Sequence, residues 1–391
     1  MPPPRRWNID PAGAPGRYPV LDALRAVAIM LVLLRHWSVA AHAAFGAPAG
    51  GPLAMLCANG WLGVDLFFVL SGFLIVNHFV GAGAGAMRID RHAILEFYRR
   101  RAFRTLPLYW AVIALCWIAG GYGAGPVFSV GTFSTYLLFL QDYLGSDLLV
   151  TLWSLAVEEK FYLIAPALAA LLMLAGRRVG GATLIALMAW VFWSMLAATR
   201  AVAPGDYPQF FWTVRAPFHH AVFAILAGAL VALLHGAPAG QGAARPAWRF
   251  YCCAAALLCL HSSSDWLARG DWRLTCWAIA ASSGLFALLV GSGLAVNRDR
   301  PAFGAARSLR RIAKLSYALY LVHFSLLGPA ITASHALLPQ RMLAQPALAS
   351  AAFLILYLSM SWLCAWLLHV AVERPFLRLR DRRRAAALAP A

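Results

Sequence analysis

Residues 21–41 read LDALRAVAIMLVLLRHWSVAA. At about 1.5 Å per residue, a helix over this stretch crosses roughly 30 Å, the hydrocarbon thickness of a bilayer. Most of its side chains are apolar, yet Arg25 lies toward one end and Arg35 and His36 toward the other. Such a stretch is either a membrane span with charged residues or a buried helix of a soluble protein, and the rest of the chain decides between them. Hydrophobic residues make up 62% of the 391 and charged residues 12%. The charged share is about half that of an ordinary globular chain. A soluble fold cannot hide so much apolar surface, so most of it faces lipid.

Further stretches of the same kind fall at 60–80, 105–122, 152–175, 181–199, 216–235, 249–265, 273–294, 314–334 and 347–371. An eleventh, Val127 to Leu140, is short and carries Ser129, Thr132, Ser134, Thr135 and Tyr136, so it reads as an interfacial or re-entrant piece. The charges test this choice. With ten spans and the N-terminus inside, 25 of the 33 Lys and Arg residues fall in cytoplasmic segments and five outside. Arg25, Arg35 and Lys160 lie within spans. That bias is the positive-inside pattern, and making Val127–Leu140 a span puts Arg177 and Arg178 on the wrong side.

The expectation is an all-α, polytopic transmembrane helical bundle of about ten helices with both termini cytoplasmic. Residues 1–20 form a cytoplasmic N-terminal segment, 21–375 the transmembrane domain and 376–391 a basic, mobile cytoplasmic tail. The abundance of Ala and Arg suggests a bacterial inner membrane. Arg5, Arg6 and Arg17 before an apolar run resemble a signal peptide, but Arg35, His36 and Trp37 within the run and the later spans favour retention.

The formal charge of +18 does not mark a nucleic-acid binder, because the arginines sit in short clusters between apolar runs. Seven cysteines give neither a C-x-x-C nor a Cys/His ligand spacing, so no disulfide framework and no metal site is expected. Residues 81–85, GAGAG, lack a following Gly-Lys-Ser/Thr and read as a connector. The chain shows no internal repeat of the kind found in inverted-repeat transporters.

Ionisable residues inside a bilayer are costly and therefore functional candidates. Arg25 and His36 lie eleven residues apart, about 16 Å along one helix face. The second span places Asp65 roughly 7–8 Å below the outer boundary, and the fourth carries Glu158 and Glu159 at about 9–11 Å. His36 reaches a similar level. One histidine and three carboxylates at matched depth suggest a shared polar site, in which a carboxylate holds the tautomer of a catalytic imidazole. Simpler roles exist for each. Arg25 can snorkel, Asp65 can cap its helix, and Glu159 with Lys160 can form a structural ion pair.

At the cytoplasmic side Arg100, Arg101 and Arg104 share a helix face, and guanidinium forks suit phosphate oxygens. Such clusters also arise merely to set topology. Ser71 is placed to assist helix packing, and His323 lies mid-span as either a core residue or a site member.

Taken together, these residues resemble the acyltransferase-3 family of integral membrane acyltransferases. The resemblance rests on six motifs in order. Arg25 and His36 match its Arg-x10-His pattern, and residues 63–74, GVDLFFVLSGFL, include Asp65 and Ser71. Arg101 and Arg104 match its Arg-x-x-Arg, with Pro107 following. Residues 153–162, WSLAVEEKFY, carry Ser154, Glu158 and Glu159. Residues 316–323, SYALYLVH, carry Tyr320 and His323, and Glu373-Arg374-Pro375 closes the series. Two departures stand out: Lys160 where Gln is common, and Arg35 where an apolar or aromatic residue is usual.

The resemblance implies an O-acyltransferase that takes an acyl group, usually acetyl, from cytoplasmic acyl-CoA. The acceptor is a hydroxyl, most often on a cell-surface or lipid-linked carbohydrate, with a macrolide or lipid-like molecule as the alternative. Acetyl-CoA or another acyl-CoA is then the co-substrate, with its phosphates on Arg100, Arg101 and Arg104 and on Arg25. His36 acts as general base or transient acyl carrier, oriented by Glu158 with Glu159 or Asp65. Ser71, Ser154, Tyr320 and His323 are further candidates. The rival reading is a transporter of a sugar-lipid or organic anion that uses His36 and Glu158 as a proton relay.

Overall fold

The computed structural model describes residues 18–48, 50–80, 89–121, 129–145, 149–235, 247–299 and 307–387. The glycine-rich connector at 81–85 and the first arginines lie outside the described residues. Among the described residues every regular element is a helix. The first half comprises α1 (Pro19–Phe45), α2 (Pro52–Ala58), α3 (Gly63–Val80), α4 (Arg91–Gly121), α5 (Val130–Leu137), α6 (Gln141–Leu144) and α7 (Trp153–Ala198). The second comprises α8 (Tyr207–Phe210), α9 (Phe218–His235), α10 (Trp248–Ser263), α11 (Trp272–Asp299), α12 (Arg307–Val322), α13 (Leu327–Leu337), α14 (Gln340–Leu343), α15 (Pro346–Leu368) and α16 (Arg374–Ala387). In a bilayer the helix satisfies its own backbone polar groups, which is why the long apolar runs take this form.

Seven helical segments among the described residues are long and apolar enough to cross a membrane, and an eighth is a bent pair. The protein is a multi-pass membrane protein. The expected count of ten is not reached by length and apolarity, for two physical reasons. Two of the expected spans, 152–175 and 181–199, fall within α7, where Gly176 alone leaves helical geometry at φ 70°, ψ 173°. A positive φ costs glycine little, so two helices meet across a kink there and count as one long segment. A third, 249–265, becomes α10, which has only 16 residues. The expected span 314–334 is not straight either. It breaks around His323, and its two halves meet at 65°.

The short stretch near Val127–Leu140 yields α5, eight residues long and unable to span. Its Ser129 caps the helix by accepting from the Thr132 N–H at 3.0 Å. Lys160, expected inside its span, reaches this hairpin and pairs with Asp142 and the Phe139 carbonyl. The basic tail begins as the helix α16, which runs to Ala387.

The core of the bundle is set by close approach of α3 and α9. A Cβ on Gly72 falls 1.9 Å from the Ile225 carbonyl oxygen, and one on Gly228 falls 2.0 Å from that of Val69. Lipid tails are as apolar as leucine, so helices in a membrane associate through such close backbone packing rather than through the hydrophobic effect. This contact fixes the rotation of α3 and turns Ser71, beside Gly72, toward α7.

Candidate active site

Five of the six motifs converge on one cavity of about 90 Å³. The helix α1 contributes Arg25, and α4 contributes Arg101, Arg104 and Thr105. From α3 come Phe67, Phe68 and Ser71; from α7, Ser154, Glu158 and Tyr162; from α12, Ser316, Tyr317 and Tyr320. Each motif lies on a different helix, and each presents its polar residues at helical spacing to the same point.

Glu158 is the organised carboxylate of this cavity. The Ser71 hydroxyl donates to its Oε1 at 2.7 Å, and the Tyr162 hydroxyl donates to its Oε2 at 2.9 Å. Tyr162 stands one helical turn from Glu158, so the second bond is an i,i+4 contact within α7. Both oxygens are therefore held, and the carboxylate keeps one orientation. Glu159, next along the helix, lies beside Thr105 and near Arg101 at the margin of the cavity.

Tyr320 closes another edge of the cavity. Its hydroxyl donates to the Thr151 carbonyl at 2.8 Å, and the same oxygen is bonded to the Ser154 hydroxyl. With its single proton committed to a carbonyl, Tyr320 accepts from Ser154. Tyr317 donates to the Thr105 carbonyl at 2.8 Å and so ties α12 to the arginine-bearing helix α4.

The guanidinium groups divide into two sets. Arg99 and Arg100 both bind Glu96, at 2.8 and 2.7 Å, on the far side of the turn. Arg100, expected among the phosphate ligands, is thereby held by a carboxylate one turn earlier on its own helix and does not line the cavity. Arg25, Arg101 and Arg104 do line it, and among the described residues none of the three forms an ion pair. Arg101 lies over the Tyr162 ring, 5.1 Å from its centroid. Three cations against Glu158 and the nearby Glu159 leave the cavity with a positive excess, which in a low-dielectric bundle favours an anion.

Asp65 has a different place from the one expected. Its two oxygens take a bidentate fork from Arg215 at 3.0 and 2.6 Å, with both side chains buried. The Arg215 guanidinium also lies between the Trp61 and Trp153 rings, 5.1 Å from each centroid. Asp65 therefore neutralises a buried cation and is not a neighbour of His36. Matched depth does not imply contact, because depth along a helix says nothing about which way a side chain points around it. A count of charges by segment does not reveal that Arg215, just before α9, turns inward to meet Asp65.

His36 lies one ring beyond the cavity. Among the described residues no carboxylate hydrogen-bonds it. Its ring neighbours are His323, with centroids 5.2 Å apart, and Phe324, edge-on at 5.1 Å. The expected carboxylate partners Glu158, Glu159 and Asp65 are each engaged elsewhere. Tyr320 in turn stands 5.6 Å from His323, so a file of rings leads from the cavity to His36.

A family model described as an acyltransferase domain, that of acyltransferase-3, matches residues 18–370. The chain belongs to the acyltransferase-3 family. Five of its six motifs fall within the matched residues, and these five line the cavity. Relatives include the O-acetyltransferase OatA of Staphylococcus aureus strain NCTC 8325, 30% identical over 171 residues, 39% of this chain and 25% of that protein. The peptidoglycan O-acetyltransferase OatA of Listeria monocytogenes serovar 1/2a is 29% identical over 165 residues, 38% of this chain and 24% of that protein. The matched stretch is about a quarter of the length of these curated relatives. No solved structure matches the chain.

Proposed function

We propose that this acyltransferase-3 protein is a membrane O-acetyltransferase that moves an acetyl group from cytoplasmic acetyl-CoA to a carbohydrate hydroxyl. The single observation that carries the donor assignment is the cavity lined by Arg25, Arg101 and Arg104 without ion pairs. Its excess positive charge matches a polyanionic donor. The positive-inside bias supports a cytoplasmic position for this end of the bundle. The name of the relative in Listeria supports a cell-wall glycan as the acceptor class.

In this reading the thioester lies along α1 between Arg25 and His36, about 16 Å of helical rise. His36 takes the proton of the acceptor hydroxyl as its oxygen attacks the thioester carbonyl. The C–O bond forms, the C–S bond breaks, and the proton passes to the departing thiolate. Glu158, held by Ser71 and Tyr162, sets the electrostatic balance against the three guanidiniums. A His36→Ala protein tests the reading with radiolabelled acetyl-CoA and a soluble peptidoglycan fragment. It should bind the donor and lose about 100-fold or more in transfer, the scale of a missing general base. Undiminished transfer contradicts it.

A further inference from the structure

We propose that His323 positions His36 for catalysis by accepting a hydrogen bond from it, as a carboxylate does in other histidine-base sites. The inference rests on the proposed role of His36 and adds the partner that holds its tautomer.

His323 is fully buried at the break between α12 and the turn Phe324–Leu326. Its Nδ1 lies 2.8 Å from the Tyr320 carbonyl and 3.2 Å from the Leu319 carbonyl. Carbonyl oxygens only accept, so Nδ1 carries the proton and donates to both. In the neutral ring Nε2 is then an acceptor with its lone pair exposed. That atom is buried and has no hydrogen-bond partner. Leaving a buried polar atom unpartnered is costly, so one kept in a packed bundle calls for a use.

The nearest candidate donor is the His36 ring, 5.2 Å from centroid to centroid and tilted by 47°. On another side His36 meets only the apolar edge of Phe324. The adjacent Arg35 is turned away and donates to the Ala58 carbonyl at 2.9 Å. An N–H of His36 given to His323 leaves the other His36 nitrogen unprotonated and free to take the acceptor's proton. When His36 becomes imidazolium, the bond to His323 becomes charge-assisted and roughly twice as strong. The stabilisation thus grows as the proton moves, which is what a general base requires. The helix break serves the same end: the Leu319 carbonyl keeps its helical bond to the His323 N–H at 3.0 Å, while the Tyr320 carbonyl takes the closer contact from Nδ1.

The test compares His323→Phe with His323→Gln. The glutamine keeps an acceptor oxygen at similar reach, and the phenylalanine keeps only the bulk. Using radiolabelled acetyl-CoA and a soluble peptidoglycan fragment, His323→Phe should lower kcat about 100-fold with KM for acetyl-CoA unchanged, and His323→Gln should stay within about tenfold of the parent. Equal loss in both variants with donor binding intact makes His323 a packing residue and overturns the proposal, as does full activity of His323→Phe. If His36→Ala itself transfers normally, the functional reading fails first. Nitrogen-15 spectra of the parent protein test the pair without any substitution. A single His36 tautomer is expected, and an even mixture of both contradicts it.

Discussion

Ser71 and Glu158 meet across the α3–α7 interface at 2.7 Å, with the hydroxyl donating to a carboxylate that Tyr162 holds from its other side. The bond links the close-packed face of α3 to the wall of the arginine-lined cavity. Ser71→Ala should cost about 1.5–3 kcal/mol, the range for hydrogen bonds to charged groups. Because Tyr162→Phe strips the same carboxylate, the double variant should depart from additivity by about 0.5–3 kcal/mol. Thermal unfolding in detergent reads both quantities, and strict additivity refutes a shared network.

The Asp65–Arg215 fork is a buried ion pair, and its two halves should behave unequally from the whole. Removing one partner alone, as in Arg215→Leu, should destabilise by about 3–5 kcal/mol, because it strands a buried charge. Replacing both, as in Asp65→Leu with Arg215→Met, should restore much of that loss. The restored protein should also still transfer acetyl groups. A stable but inactive double variant would show that Asp65 takes part in the chemistry.

The contact of Gly72 with the Ile225 carbonyl leaves no room for a methyl group. Gly72→Ala should force α3 and α9 apart and cost about 1–3 kcal/mol, the usual range for overpacking. Because Ser71 moves with the same turn, the loss of stability should bring a loss of transfer. Unchanged melting of Gly72→Ala contradicts the close packing described.

What could be read from the sequence follows what a helix makes regular. Apolar length gave the spans, and the 1.5 Å rise placed Arg25 and His36 at opposite ends of one helix. The spacing of Arg101 and Arg104 put both on the cavity face of α4, as expected. Arg100, one residue earlier, was drawn off by Glu96, a competition that a count of arginines does not weigh. Rotation about each helix axis escaped the reading altogether. Glu158, Asp65 and His36 share a depth, yet packing turns them to Ser71, Arg215 and His323 respectively. The partnership of His36 with His323 needs the 65° break in its helix, which no apolar pattern announces. At Gly176 a single non-helical glycine joins two helices end to end, so a count by helical segments alone merges the two spans expected there.

The central claim is that Arg25, Arg101 and Arg104, and not Arg100, receive an acyl-CoA donor. Calorimetric titration of acetyl-CoA into the detergent-purified protein tests it most directly, with Arg101→Ala/Arg104→Ala and Arg100→Ala alongside. The account predicts saturable binding that the double variant loses and that Arg100→Ala leaves within about twofold of the parent, because Arg100 pairs with Glu96 outside the cavity. No binding to the parent protein, or equal loss on replacing Arg100, would contradict it.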